Sequence, residues 1–259
     1  MSVNPTDGWL GLGFVARQDV DDPNLLIRAL LAFYREIDAR PDRVTHGKAK
    51  THAFSDKRLA EVINIEREDS LLLWSRNDGP AGDLHFFVRS APKVREFDRR
   101  WSGVIIHASF GVRALLGLAT DMNARFGLIA AGVTRHLRRP DAERESLDGG
   151  DRAKCDPALV ERVDWDGWKW RRSHTKLRRL YPITIIGPEI WATLPPLPAF
   201  DPMPTVTDLG DCKVLTAWPE VCDPRDPAFL RGTRALRAWL WPYTIQNPAD
   251  HVDNDPPRP

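Results

Sequence analysis

One stretch, YPITIIGPEIWATLPPLP from Tyr181 to Pro198, limits the folds open to this chain more than any other. Pro182 and Pro188 bracket Ile183, Thr184, Ile185, Ile186 and Gly187, and four of those five are β-branched. Branching at Cβ stiffens the side chain and suits a pleated surface, so the segment predicts a short buried strand. Pro188 stands where a helix takes its first residue, because the ring presets φ and the missing N–H is not needed there. A single turn over Glu189 to Leu194 is expected, and Pro195, Pro196 and Pro198 then end regular structure. Glu189 is the only charge in the stretch. A strand this apolar needs cover on both faces, and the rest of the chain must supply it.

With 259 residues, 42% of them hydrophobic and 28% charged, the chain can bury a real core under a soluble surface. We expect one globular domain over residues 1–246, an exposed charged insert near 138–155 and a flexible tail over 247–259. A net charge of +1 provides no overall field for nucleic acid or membrane. Cys155, Cys212 and Cys222 are odd in number and lack C-x-x-C spacing, which fits a reduced compartment better than disulfides or zinc. The first residues show no basic region followed by an apolar run, and no segment is long enough to span a bilayer. The expectation is a cytoplasmic protein with no membrane partner.

In chain order, Gly8–Ala16 reads as a strand. Asp22 and Pro23 open a helix over about 23–39, with Leu26, Leu30, Phe33 and Ile37 at helical spacing. Residues 44–55 read as a loop and 57–65 as a short helix. Ser70–Ser75 and Leu84–Val88 flank the turn cluster NDGPAG and pair as a hairpin. Gly103–Ser109 is a strand, and Val112–Phe126 a helix with Leu115, Leu118, Ala119, Met122 and Phe126 on one face. Leu128–Val133 is apolar and fits strand or helix. Lys213–Trp218 is a strand, and Asp226–Pro227 opens a helix with Phe229, Leu236 and Leu240 inward, ended by Pro242. Fifteen of the 22 prolines follow residue 180, so rigid loops hold the C-terminal third. The pattern predicts an α+β fold, a mostly antiparallel sheet covered by helices, with a mixed α/β sheet as the alternative.

Catalytic motifs are scarce. Gly8, Gly11 and Gly13 are in the wrong order for a dinucleotide fingerprint and too far from the next helix; glycines easing a strand explain them. His85 and His107 lie in predicted strands and meet only if those strands align them. The three thiols have no histidine and acid around them that would make a nucleophile. No catalytic residue, metal ligand or cofactor is assigned, and the chain reads as a non-enzyme. Two patches remain. Lys169, Arg171, Arg172, Lys176, Arg178 and Arg179 fall within eleven acid-free residues, interleaved with Trp168 and Trp170. Such a run can follow phosphates while rings stack on bases, so Trp168, Trp170, Arg171, Arg172 and Arg178 are the candidate residues for nucleic acid. Their bland alternative is a solvated segment whose rings turn inward, and the near-neutral chain favours it. Farther on, Glu189, Asp201, Asp208, Asp211, Glu220, Asp223 and Asp226 outnumber Lys213 and Arg225. Acidic rims around aromatic anchors suit a basic protein partner; the alternative is scattered surface acids.

The order of these features carries a resemblance. GWLGLGFVA leads to DPNLLIRALLAFYREI, and GVIIHASFGVRALLGLATDMNARF forms a middle strand and helix. A Trp-rich segment then leads to YPITIIGPEIWATLPPLP, DLGDCKVLTAW and DPRDPAFLRGTRALRAWL. The layout over residues 8–242 resembles bacterial polymorphic-toxin immunity proteins, including type VI secretion examples, that are paired with restriction-endonuclease-like nuclease toxins. The insert around 138–170 departs from the compact pattern of that family. The resemblance implies a non-enzymatic inhibitor that binds a cognate nuclease toxin and blocks its active site or nucleic-acid groove. The contacts expected on that reading are Trp191, Asp208, Asp211, Glu220 and Asp223. The alternative is a nucleic-acid binder or nucleic-acid enzyme using residues 165–179.

Overall fold

A computed structural model of the chain describes residues 9–17, 23–46, 51–63, 70–74, 83–87, 101–136, 176–177, 180–222 and 226–244. Ten strands in these residues join one sheet, and every pairing of neighbouring strands is antiparallel. The strands are β1 (Trp9–Ala16), β2 (Arg43–His46), β3 (His52–Ala53), β4 (Ser70–Trp74) and β5 (Asp83–Phe87), then β6 (Trp101–His107), β7 (Leu128–His136), β8 (Ile183–Ile186), β9 (Thr205–Leu209) and β10 (Cys212–Thr216). Their order across the sheet is β3-β2-β4-β5-β6-β1-β7-β8-β10-β9. The α+β class and the antiparallel sheet are as the sequence predicts, and so is the β4–β5 hairpin.

Helices α1 (Pro23–Glu36), α2 (Asp56–Ile63) and α3 (Gly111–Phe126) precede the C-terminal third. Leu30, Phe33 and Ile37 on and just after α1 are buried, as are Leu115, Leu118, Ala119, Met122 and Phe126 on α3. They pack with Leu10, Leu12, Phe14 and Ala16, the alternate residues of β1 that point to one face. The other face carries α4 (Pro188–Trp191), α5 (Pro227–Gly232) and α6 (Arg234–Leu240). Their Ile190, Phe229, Leu230, Leu236 and Leu240 form a second core with Val15, Ile129, Ile186 and Leu215.

β8 lies between these two cores. Ile183 and Ile185 belong to the first and Ile186 to the second, so all four residues of the strand are buried. That double burial is why the strand reads as a continuous apolar run without alternation. Thr184 is the polar member, and its hydroxyl is satisfied locally: it accepts from Tyr181 N at 2.9 Å and lies 3.2 Å from Tyr181 O. Gly103, Gly13 and Gly132 stand in register across β6, β1 and β7. The Tyr181 ring covers Gly132 so closely that a Cβ there would lie 2.1 Å from it.

Several sequence expectations need correction. The segment read as a loop over 44–55 contributes β2 and β3, which pair through Arg43↔Ala53 and Val44↔His52. Polar composition concealed them because they form an end of the sheet. β9 also escaped notice, for the same reason: Thr205, Thr207 and Asp208 are exposed. Leu128–Val133, which fitted either class, is part of a strand that runs on to His136. The single helix expected after Asp226 is two helices separated at Thr233. Asp22, the insert near 138–155 and the tail over 247–259 lie outside the described residues.

Candidate functional site

The β9–β10 hairpin organises the candidate surface. Its two-residue turn is Gly210–Asp211, with Gly210 at φ 62°, a conformation that favours glycine. Asp208 on β9 faces Lys213 across the hairpin, and the two side chains form an ion pair. Asp211 is held more firmly. Its Oδ2 is 2.9 Å from Arg17 Nη2, and its Oδ1 accepts from Asn123 Nδ2 at 2.8 Å. Arg17 also reaches Glu189 at the start of α4, with Nε 2.9 Å from Oε1. One guanidinium therefore ties the end of β1, the N-terminal turn of α4 and the tip of the hairpin together.

The electrostatics follow from these contacts. The Asn123 hydrogen bond holds the Asp211 carboxyl below its ordinary value, with Arg17 adding to the effect and partial burial opposing it. Arg17 is partly desolvated, which works against its charge, but Asp211 and Glu189 more than compensate and its pKa rises. Burial, reinforced by the neighbouring Asp211 charge, pushes the Cys212 thiol up to about 12. A thiol so far from its thiolate is a packing group and a weak donor, here to Asn123 Oδ1 at 3.3 Å.

The structure brings some of the sequence-chosen residues together and separates others. Trp191 ends α4, half-buried against the second core, and its helix is joined to Asp211 through Glu189 and Arg17. Asp208 sits on the same hairpin. Glu220 is exposed but follows Thr216, beyond the opposite end of β10 from the turn. Asp223 lies outside the described residues, as do Trp168, Trp170, Arg171, Arg172 and Arg178. Arg17 and Asn123 were not chosen from sequence. Their partners are 172 and 194 residues away for Arg17 and 86 to 89 away for the Asn123 side chain's contacts with Leu209, Asp211 and Cys212. No local pattern announces such pairs.

The strand register sets the positions of His85 and His107 apart. His85 is opposite Gly103, four residues along β6 from His107, a separation of roughly 13 Å at the rise of an antiparallel strand. Among the described residues, no three His, Cys, Asp or Glu side chains form a group that could hold a metal ion. No helix in the described residues is long and apolar enough to cross a membrane.

Among solved structures, the chain is similar to the Pseudomonas aeruginosa T6SS protein PA0821. The TM-score is 0.56 and the identity 14%, over 92% of this chain and 73% of that one. The two share a fold. No protein-family model matches the chain, and no curated protein matches it.

Proposed function

We propose that this chain is an immunity protein: it binds a cognate nuclease toxin and neutralises it by blocking the active site or nucleic-acid groove. The observation that carries the reading is the fold shared with a T6SS protein. The surface around the β9–β10 hairpin fits it in kind. Asp208 and Asp211 are exposed carboxylates held in place by Lys213, Arg17 and Asn123, and the half-buried Trp191 stands on the helix that Glu189 and Arg17 join to Asp211. Fixed acids beside an aromatic anchor complement a basic groove, because charge steers the encounter and a buried ring holds the complex. On this reading the protein inhibits by occupation and performs no chemistry of its own.

The test is co-purification with a catalytically inactivated nuclease toxin encoded beside this gene, followed by titration of the active toxin in a nuclease assay. A stable complex, with nuclease activity lost near one equivalent, supports the reading. No complex at micromolar concentration rejects that pairing.

A further inference from the structure

The two ends of the sheet are built differently. β3, at one end, is two residues long and leaves little edge to pair with. β9, at the other, is five residues long, keeps an unbroken register with β10 and contains neither Pro nor Lys. Short length, charged side chains (lysine above all), proline and bulges are the usual means of blunting a sheet edge; β9 has no proline, lysine or bulge, and its single charge, Asp208, is paired with Lys213 of the neighbouring strand. The Gly210–Asp211 turn makes Leu209 and Cys212 the bonded pair beside it. Bonding alternates from there, so Thr207 and Thr205 bond to β10, while Val206 and Asp208 direct their backbone N–H and C=O away from it. Among the described residues, no strand receives those groups.

Two further observations point to a partner at this edge. Met203, 56% exposed, is the large exposed hydrophobic residue of the described chain, and it stands two residues before β9. Exposed acids lie towards both ends of the strand, Asp201 and Glu220 at one and Asp208 and Asp211 at the other.

We propose that the outer edge of β9 takes an extended, Lys- or Arg-bearing segment of the toxin as an additional strand; this rests on the immunity reading above. The backbone groups of Val206 and Asp208 continue the ladder, and Met203 packs on an apolar side chain of the incoming segment. The acids select its basic residues. Main-chain bonds then supply affinity and side chains supply choice of partner. Charge decides between a basic segment and a second copy of this chain. Antiparallel self-pairing would lay the acidic Asp201 and Glu220 end of each copy beside the Asp208 and Asp211 end of the other, where Lys213 and Arg17 offset only part of the like-charge repulsion.

The test uses the full chain and the inactivated toxin. Hydrogen exchange of the unmodified protein should show the Val206 and Asp208 amides becoming protected in the complex. Val206→Pro removes an outward N–H without removing a bond to β10; because the Val206 side chain packs on the second core, its melting temperature should fall by several degrees, while the affinity of the folded variant falls about 100-fold. Should Val206→Pro fail to fold, the exchange data on the unmodified chain decide alone. A tight complex with unchanged exchange at both amides overturns edge docking and leaves the immunity reading intact. No complex at all overturns both. A concentration-dependent dimer of the free chain that protects the same amides assigns the edge to self-pairing and overturns the basic occupant.

Discussion

Asn123 uses its whole side-chain amide. Nδ2 donates to Leu209 O at 3.3 Å and to Asp211 Oδ1 at 2.8 Å. Oδ1 accepts from Leu128 N at 2.9 Å and from the Cys212 thiol at 3.3 Å. Leu128 is fully buried, so Asn123→Ala leaves its N–H without that partner and without water. The expected loss is about 2–3 kcal/mol, read as a lower denaturant midpoint with an unchanged slope. Asp211 makes a pH prediction. Its folded pKa lies below the ordinary value of 3.8, so the folded state binds this proton more weakly than the unfolded chain. The resulting stability is fully present above about pH 5 and is lost as pH falls through the folded pKa. Asp211→Asn should therefore lower stability at neutral pH by no more than about 1 kcal/mol, since the carboxylate is half exposed, and flatten the acid limb below about pH 5. Equal steepness of the two acid limbs in thermal melts would show that Asp211 contributes nothing to it.

At the scale of elements, β8 shows how a local pattern and a tertiary demand coincide. Ile183, Ile185 and Ile186 are apolar and β-branched because the strand is covered on both faces, and the composition of four residues is enough to expose that. The step from β8 into α4 is different. Gly187 has φ −66°, which any residue adopts, so backbone conformation does not call for glycine. Space does: a Cβ there would lie 2.3 Å from Leu128 O and 2.7 Å from Ile129 O, while Gly187 N donates to Ile129 O at 2.8 Å. Gly187→Ala should cost about 1–3 kcal/mol, and because the colliding atoms are backbone, enlarging a neighbouring cavity should not restore it. Urea denaturation of the single variant checks the loss. The helix start at Asp226–Pro227 was legible for a simpler reason. Asp226 accepts from Ala228 N at 2.7 Å, within its own turn, so the signal is entirely local.

For the whole molecule, the near-neutral total charge conceals an uneven distribution. If the acids around β9 steer a basic partner, reversing Asp208 and Glu220 together to Lys should slow association about tenfold at low ionic strength, with a smaller effect in high salt. Stopped-flow association across a salt series measures this, and an unaltered rate would remove these two acids from the encounter surface. The sequence by itself determined the α+β class, α1, α3, the β4–β5 hairpin and the buried β8, because hydrophobic period, β-branching and turn chemistry act over a few neighbouring residues. It proposed Trp191, Asp208, Asp211, Glu220 and Asp223 as one surface without knowing their arrangement. Only the tertiary structure decided the strand order, the exposed position of β9, the joining of Glu189 and Asp211 by Arg17, and the separation of Glu220 from the hairpin turn. Those features rest on hydrogen bonds and ion pairs between residues far apart in the chain, and no local periodicity records which distant groups the folded sheet will bring together.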